Sequence, residues 1–195
     1  MANLEEVQPI AQENIPETAE KKSPPETKKA EQPNSLEKIN ENYGAVLDHR
    51  EAQYDKDIEA KPEMGAMRSN LEMHNKIVLG YAGELVEAMN LPDEQRVAAI
   101  IATIEHDSGK LASGLLDHHE QGTEYAGQML DGLEGQEFEG VTITPEIKQK
   151  VMEAIERHMN HPFLVMLNKG ERFPEPKDDV DRVVFDADMM ANAGF

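Results

Sequence analysis

The 195-residue chain contains no cysteine, which excludes disulfides and thiolate metal sites, so any metal must be held by histidine and carboxylate. Basic side chains are scarce: 19 lysines and arginines stand against 39 acidic residues, for a net charge of −20. That balance argues against binding duplex nucleic acid or an anionic membrane, since both need basic faces. Small anionic substrates are compatible with it where a metal ion inverts the local field. The N-terminus lacks the basic and apolar regions of a signal peptide, and no apolar run approaches membrane-spanning length. A soluble cytoplasmic protein is the expectation. Strand-like alternation is missing too, apart from a hint in Glu137–Ile143, "EFEGVTI". At this length one domain with tails is expected rather than two domains.

What is present is helical. Residues 1–34 carry five prolines among Glu, Gln and Lys and no aromatic side chain, a composition that cannot offset chain entropy and reads as a disordered tail. Seven glutamates and four lysines give that tail −3, leaving −17 of the total on residues 35–195. Asn34 with Glu37 suggests a capping box that opens one helix through Leu36, Ile39, Tyr43, Leu47, Tyr54 and Ile58. Ser69 and Glu72 suggest the start of a second helix, running to about Met89. Pro92 opens a third in its first turn, and Gly109 is placed as its terminator. Asp117 with Glu120 starts a fourth, and Thr144-Pro145 a fifth to about Asn160. A last helix covers roughly Asp179–Ala193, after a long loop from Asn160. The expected fold class is an all-α bundle.

Several polar side chains fall on the apolar faces of these helices. Val97, Ile100, Ile101 and Ile104 form a core-facing stripe, and Asp107 continues it, seven residues after Ile100. A carboxylate aimed inward needs a cation or hydrogen bonds to compensate its burial. His74 shares a face with Val78, Tyr81 and Leu85. His158 follows Ile147, Val151 and Ile155, and Asp188 follows Val180 and Val184. A lone histidine on an apolar face is commonly a hydrogen-bonded core residue. Four helices that each turn such a side chain inward, beside a His-Asp pair, point instead to a divalent metal site in a bundle core.

His74, the doublet His106-Asp107 in "HDSGK" and Asp188 in "FDADMM" resemble the H…HD…D signature of the HD-domain superfamily, helical metal-dependent phosphohydrolases, over residues 69–195. The resemblance implies an HD-type bundle within residues 35–195. It implies that His74, His106, Asp107 and Asp188 are metal ligands, with Asp107 able to bridge two ions. Asp188 is preferred to Asp186 because it is in phase with Val180 and Val184. Lys110 matches a lysine that meets substrate phosphate, although a lysine at a helix C-terminus is also favoured by the dipole alone. Many members add two histidines that create a second metal position. "HHEQG" offers His118, with His119 as the rival, and His158 in "AIERHMNHP" matches the other. His161 is a further ligand or phosphate donor. No "HHExxDGxGYP" segment follows His158, which weakens the link to the cyclic-di-GMP phosphodiesterase branch.

The resemblance implies one or two divalent ions per chain. Several imidazoles favour Mn, Fe, Co or Ni, with Mg or Zn as alternatives. A bound ion lowers the pKa of water from about 15.7 towards 7 and neutralises phosphate charge. The expected activity is hydrolysis of a phosphate ester or anhydride of a nucleotide or similar small phosphorylated metabolite. Lys169 and Arg172 are candidate phosphate contacts, and Phe163 or Phe173 a stacking surface, in the loop "HPFLVMLNKGERFPEP". The alternative is a catalytically silent, metal-stabilised nucleotide-binding or regulatory module.

Overall fold

The computed structural model describes residues 35–194, so the Asn34 cap and the tail of residues 1–34 lie outside the described residues. The fold is all-α. Helices α1 (Ser35–Asn42), α2 (Gly44–Ala60), α3 (Gly65–Ala88), α4 (Asp93–Glu105), α5 (Lys110–Ser113) and α6 (His118–Leu133) precede a two-stranded hairpin, β1 (Glu137–Phe138) and β2 (Val141–Thr142). Then come α7 (Pro145–Arg157), α8 (Pro162–Leu167) and α9 (Asp179–Ala193). The strands pair antiparallel, Phe138 opposite Val141, about a two-residue turn in which Glu139 and Gly140 both have positive φ, the geometry that matches strand twist. No helix among the described residues is long and apolar enough to cross a membrane.

The organising element is α4. Every residue from Val97 to Gly109 is buried, so the helix and the turn after it are enclosed on all sides rather than along one stripe. It packs on α3, α7 and α9, with α2 and α6 also against it. Ile100, Ile101 and Ile104 join Val78, Leu130, Val151, Ile155, Val183 and Val184 in one continuous core. A second small cluster, Tyr54, Leu71 and Leu111, ties α2 and α3 to α5 beneath the turn.

Several boundaries differ from the sequence expectation, each for a local reason. The single helix expected from Asn34 to Ile58 is two. Its break is Tyr43, fully buried and stacked on Phe138 with ring centroids 5.7 Å apart, followed by the poor helix former Gly44. Ser69 does not cap α3, because a 3-10 turn at Pro62–Met64 launches the helix four residues earlier and Glu72 instead accepts from Arg68 Nε at 2.6 Å. Pro92 is the residue before α4 rather than inside its first turn. Asp117 precedes α6 but makes no side-chain cap bond. Helix α7 stops at Arg157, and the expected loop contains α8. Thr144 does cap α7, accepting from Ile147 N, and Asp178 caps α9 by accepting from Val180 N and Asp181 N.

Gly109 is not a left-handed helix terminator. Its φ is −78°, and α4 ends at Glu105. The glycine is needed for close approach: a Cβ there would stand 2.5 Å from His118 O, 2.6 Å from Gly122 N and 2.8 Å from Gln121 Cβ. Backbone of the His106–Gly109 turn thus lies directly on the first turn of α6. Gly122 faces the same contact, its notional Cβ 3.5 Å from both Glu105 O and His106 O.

Candidate metal centre

Because α4 is central, its C-terminal turn meets the inner faces of α3, α6, α7 and α9, and each supplies a side chain there. Asp107, with no exposed surface, is the hub. One carboxylate oxygen, Oδ1, lies 3.1 Å from His118 Nε2 and 3.9 Å from His158 Nε2. The other, Oδ2, lies 3.6 Å from the Nε2 atoms of both His74 and His106 and 2.6 Å from Lys110 Nζ. Asp188 completes the second side, its Oδ1 2.9 Å from His74 Nε2 and 3.9 Å from His106 Nε2. Two groups result that could each hold a metal ion, His74–His106–Asp107 and Asp107–His118–His158, with ligand atoms within 4.8 Å of one another. Asp107 belongs to both.

The tautomers follow from the hydrogen bonds. At the ends of α4 and α7 and the start of α6, a ring Nδ1 reaches the carbonyl three residues earlier: His106 to Thr103 O at 2.7 Å, His158 to Ile155 O at 2.6 Å, His118 to Leu115 O at 2.9 Å. A carbonyl only accepts, so each Nδ1 carries its proton and donates it. Each Nε2 then faces the cluster, the arrangement in which metal-binding histidines are fixed by their other nitrogen. The Nε2 atoms of His118 and His158 face each other at 3.0 Å. Burial, then the neighbouring imidazoles of His118 and His106, push the pKa of His158 well below the usual histidine value, so at neutral pH it brings no proton to that contact. A proton on His118 or a shared metal cation satisfies that contact. Buried Nε2 of His106 has no hydrogen-bond partner among the described residues, while Nε2 of His74 and Oδ1 of Asp107 have only each other's cluster as neighbours, Asp188 Oδ1 at 2.9 Å and His118 Nε2 at 3.1 Å. Buried imidazole nitrogens converging on one carboxylate fit a divalent cation of the kind that accepts mixed nitrogen and oxygen donors.

The electrostatics agree. Burial alone would push the Asp107 carboxyl up, but Lys110 and the His106 and His118 imidazoles outweigh it and hold it well below the ordinary range. Asp188 is lowered in the same way: burial is outweighed by the His161 and His74 imidazoles beside it. Burial lowers His106, against the opposing pull of Asp107 and Asp188. Both carboxylates are therefore ionised and these two imidazoles, His106 and His158, neutral, which are the protonation states that bind metal.

The sequence-predicted residues separate into two sets. His74, His106, Asp107, Asp188, His118, His158, His161 and Lys110 come together. Between the two rivals, His118 faces Asp107, while His119 packs edge-on against Phe173 with centroids 5.4 Å apart. Asp186 is exposed, as its phase on α9 requires. His161, at the N-terminus of α8, sets Nε2 3.1 Å from Asp188 Oδ2. A cavity of about 320 Å³ opens over the cluster, walled by Lys110, Leu115, His118, His158, His161, Phe163, Leu164, Asp188 and Asn192. Lys169 and Arg172 do not line it: both are exposed, and Arg172 pairs with Glu175 at 2.9 Å. A larger cavity of about 410 Å³ beside Lys38, Arg96 and Glu139 holds none of the clustered side chains.

No family model, curated protein or solved structure matches the chain.

The sequence reading missed Asn192, Glu105 and His49. Asn192 Nδ2 donates to Asp188 Oδ1 at 2.9 Å, steadying the carboxylate from one turn further along α9. Its signal was the i, i+4 spacing. Glu105 is fully buried, with His49 Nδ1 of α2 3.4 Å from Oε1 and, among the described residues, no hydrogen-bond partner for Oε2. The run "VAAIIATI", apolar on every face, was the signal that a central helix would bury its last residue too.

Proposed function

We propose that the protein is a metal-dependent phosphohydrolase of the HD-domain type, with a binuclear centre shared through Asp107. The observation that carries this reading is the sharing itself: one carboxylate sends its two oxygens to two separate imidazole groups. His74, His106 and Asp188 would hold one ion and His118 and His158 the other. Bound there, a pair of divalent ions supplies Lewis acidity at the phosphoryl oxygens and acidifies an attacking water.

The remaining roles fall to the chain's own groups. Lys110 stands at the cavity wall, part-exposed, within 2.6 Å of Asp107, where its ammonium can turn to a substrate phosphoryl oxygen. His161, held 3.1 Å from Asp188, is placed to give a proton to the leaving oxygen. Thr103, Leu115 and Ile155 fix the rings through their carbonyls, so that little reorganisation accompanies reaction. Against the −17 charge of residues 35–195, divalent ions held there would supply the local attraction for an anion. Hydrolysis of a phosphate monoester panel with chelator-stripped protein, then with added Mn, Fe, Co, Ni or Mg, tests the reading. Turnover only with added metal is expected. Metal-independent turnover, or none with any metal, would overturn it.

A further inference from the structure

Taking the phosphohydrolase reading as its basis, the cavity narrows the class of substrate. Apart from the clustered ligands, its walls are Lys110, Leu115, His161, Phe163, Leu164 and Asn192. Among the described residues of this wall, Lys110 is the one fixed cation. Sites for di- and triphosphates place several Lys or Arg around the chain of phosphates, because each added phosphoryl group must exchange its hydration for charged donors. Here the nearest candidates in sequence, Lys169 and Arg172, stand outside the cavity. Beyond the mouth a polyphosphate would meet the field of a strongly acidic protein.

Beside His161 and Asn192 the mouth carries apolar side chains. Leu115 and Phe163 are both large and exposed, 43% and 58%, and Leu164 is buried. A volume of about 320 Å³ sits at the small end of ligand pockets, enough for one phosphoryl group and one ring system. We infer that the substrate is a phosphate monoester whose alcohol carries a flat apolar ring, the phosphoryl group on Lys110 and the ring against Phe163. The reaction is R–O–PO₃²⁻ + H₂O → R–OH + HPO₄²⁻: the bond from phosphorus to the ester oxygen breaks, water oxygen bonds to phosphorus, and one water proton ends on the leaving oxygen. Di- and triphosphates are excluded as preferred substrates.

Binding and turnover test this separately. With the Mn-loaded protein, calorimetry is run with two non-hydrolysable probes, phenylphosphonate and methylphosphonate, which differ only in the ring. Phenylphosphonate is expected to bind roughly 5- to 100-fold more tightly, the range typical of one aromatic stacking contact. Phe163→Ala should erase that ratio while leaving metal content unchanged, and its exposed position spares the fold. Turnover of phenyl phosphate and a nucleoside 5′-monophosphate should exceed that of the matching 5′-triphosphate. Equal affinity for the two phosphonates, a ratio that survives Phe163→Ala, or faster turnover of the triphosphate would overturn the inference and leave the phosphohydrolase reading standing. A phenylphosphonate preference without turnover of any ester would do the reverse, supporting the ring site and removing the hydrolase.

Discussion

Gly109→Ala tests how the centre is assembled without touching any ligand. The new methyl would sit 2.5 Å from His118 O and 2.6 Å from Gly122 N, both backbone atoms that cannot rotate away. Relief to ordinary contact, about 3.4 Å or more, requires the first turn of α6 to retreat by roughly 1 Å from the His106–Gly109 turn. That retreat moves His118, whose Nε2 is 3.1 Å from Asp107 Oδ1, and leaves His74 and Asp188 on α3 and α9 where they are. Overpacking of this kind costs about 1–3 kcal/mol. For a domain of this size a 2 kcal/mol loss lowers Tm by roughly 4–8 °C. A misplacement of about 1 Å at a reacting centre costs on the order of 100-fold in rate. The variant is therefore expected to stay folded, lose the ion of the His118–His158 side, keep the other, and turn over about 100-fold more slowly. Gly80→Ala is the control: its Cβ meets nothing within 4 Å on α3, so it should be neutral or stabilising by about 0.5–1 kcal/mol. Metal content by elemental analysis, Tm by calorimetry and initial rates decide the matter. A Gly109→Ala protein with full metal, unchanged Tm and unchanged rate would refute the close-packing argument.

Ala in place of His74, His106, Asp107 or Asp188 should remove metal and hydrolysis while circular dichroism stays helical; full retention of metal in His74→Ala would dismantle the four-ligand side. His118→Ala and His158→Ala should each bind about one fewer ion per chain, whereas His119→Ala should keep both, and the opposite pattern would assign the wrong neighbour. His49→Ala strips buried Glu105 of its one side-chain hydrogen-bond partner among the described residues, so Tm should fall by the equivalent of about 1–3 kcal/mol with metal content retained; an unchanged Tm would show the pair to be idle. In metal-free protein His106 and His158 have folded pKa values below the unfolded value of about 6.5, so the unfolded chain takes up more protons and stability is lost as pH falls below that point. Asp107 and Asp188, lowered in the folded state, add a further loss below about pH 4. A Tm that is flat from pH 7.5 to 5 after chelation would contradict the first of these.

Much of the centre was legible because helical phase is a strong constraint. Asp107, His158 and Asp188 continue apolar stripes on separate helices, and a side chain in phase with a core must enter it. Phase also chose Asp188 over the exposed Asp186. It could not choose between His118 and His119, because both belong to the buried side of α6; only the packed structure separates them, with His118 on Asp107 and His119 on Phe173. Helix starts were less legible. The Ser69 and Glu72 pair looked like a cap, but Pro62 and the packing of Tyr54, Leu71 and Leu111 launch α3 earlier. Lys169 and Arg172 were chosen by charge and sequence proximity, and a loop folded around its own short helix carries them away from the cavity. The all-round apolar run "VAAIIATI" signalled a buried Glu105, but its pairing with His49 of α2 is a tertiary fact that no stripe states.

Whether Asp107 joins two metal positions in a phosphohydrolase is decided by adding Mn back to chelator-stripped protein in measured equivalents while following bound metal and phosphate release from a phosphate monoester in the same samples. No release is expected without metal, with binding that saturates near two ions per wild-type chain and loss of both binding and release in Asp107→Ala. Phosphate release that is independent of bound metal, or an Asp107→Ala protein that still binds two ions, would contradict a hydrolytic centre shared through Asp107.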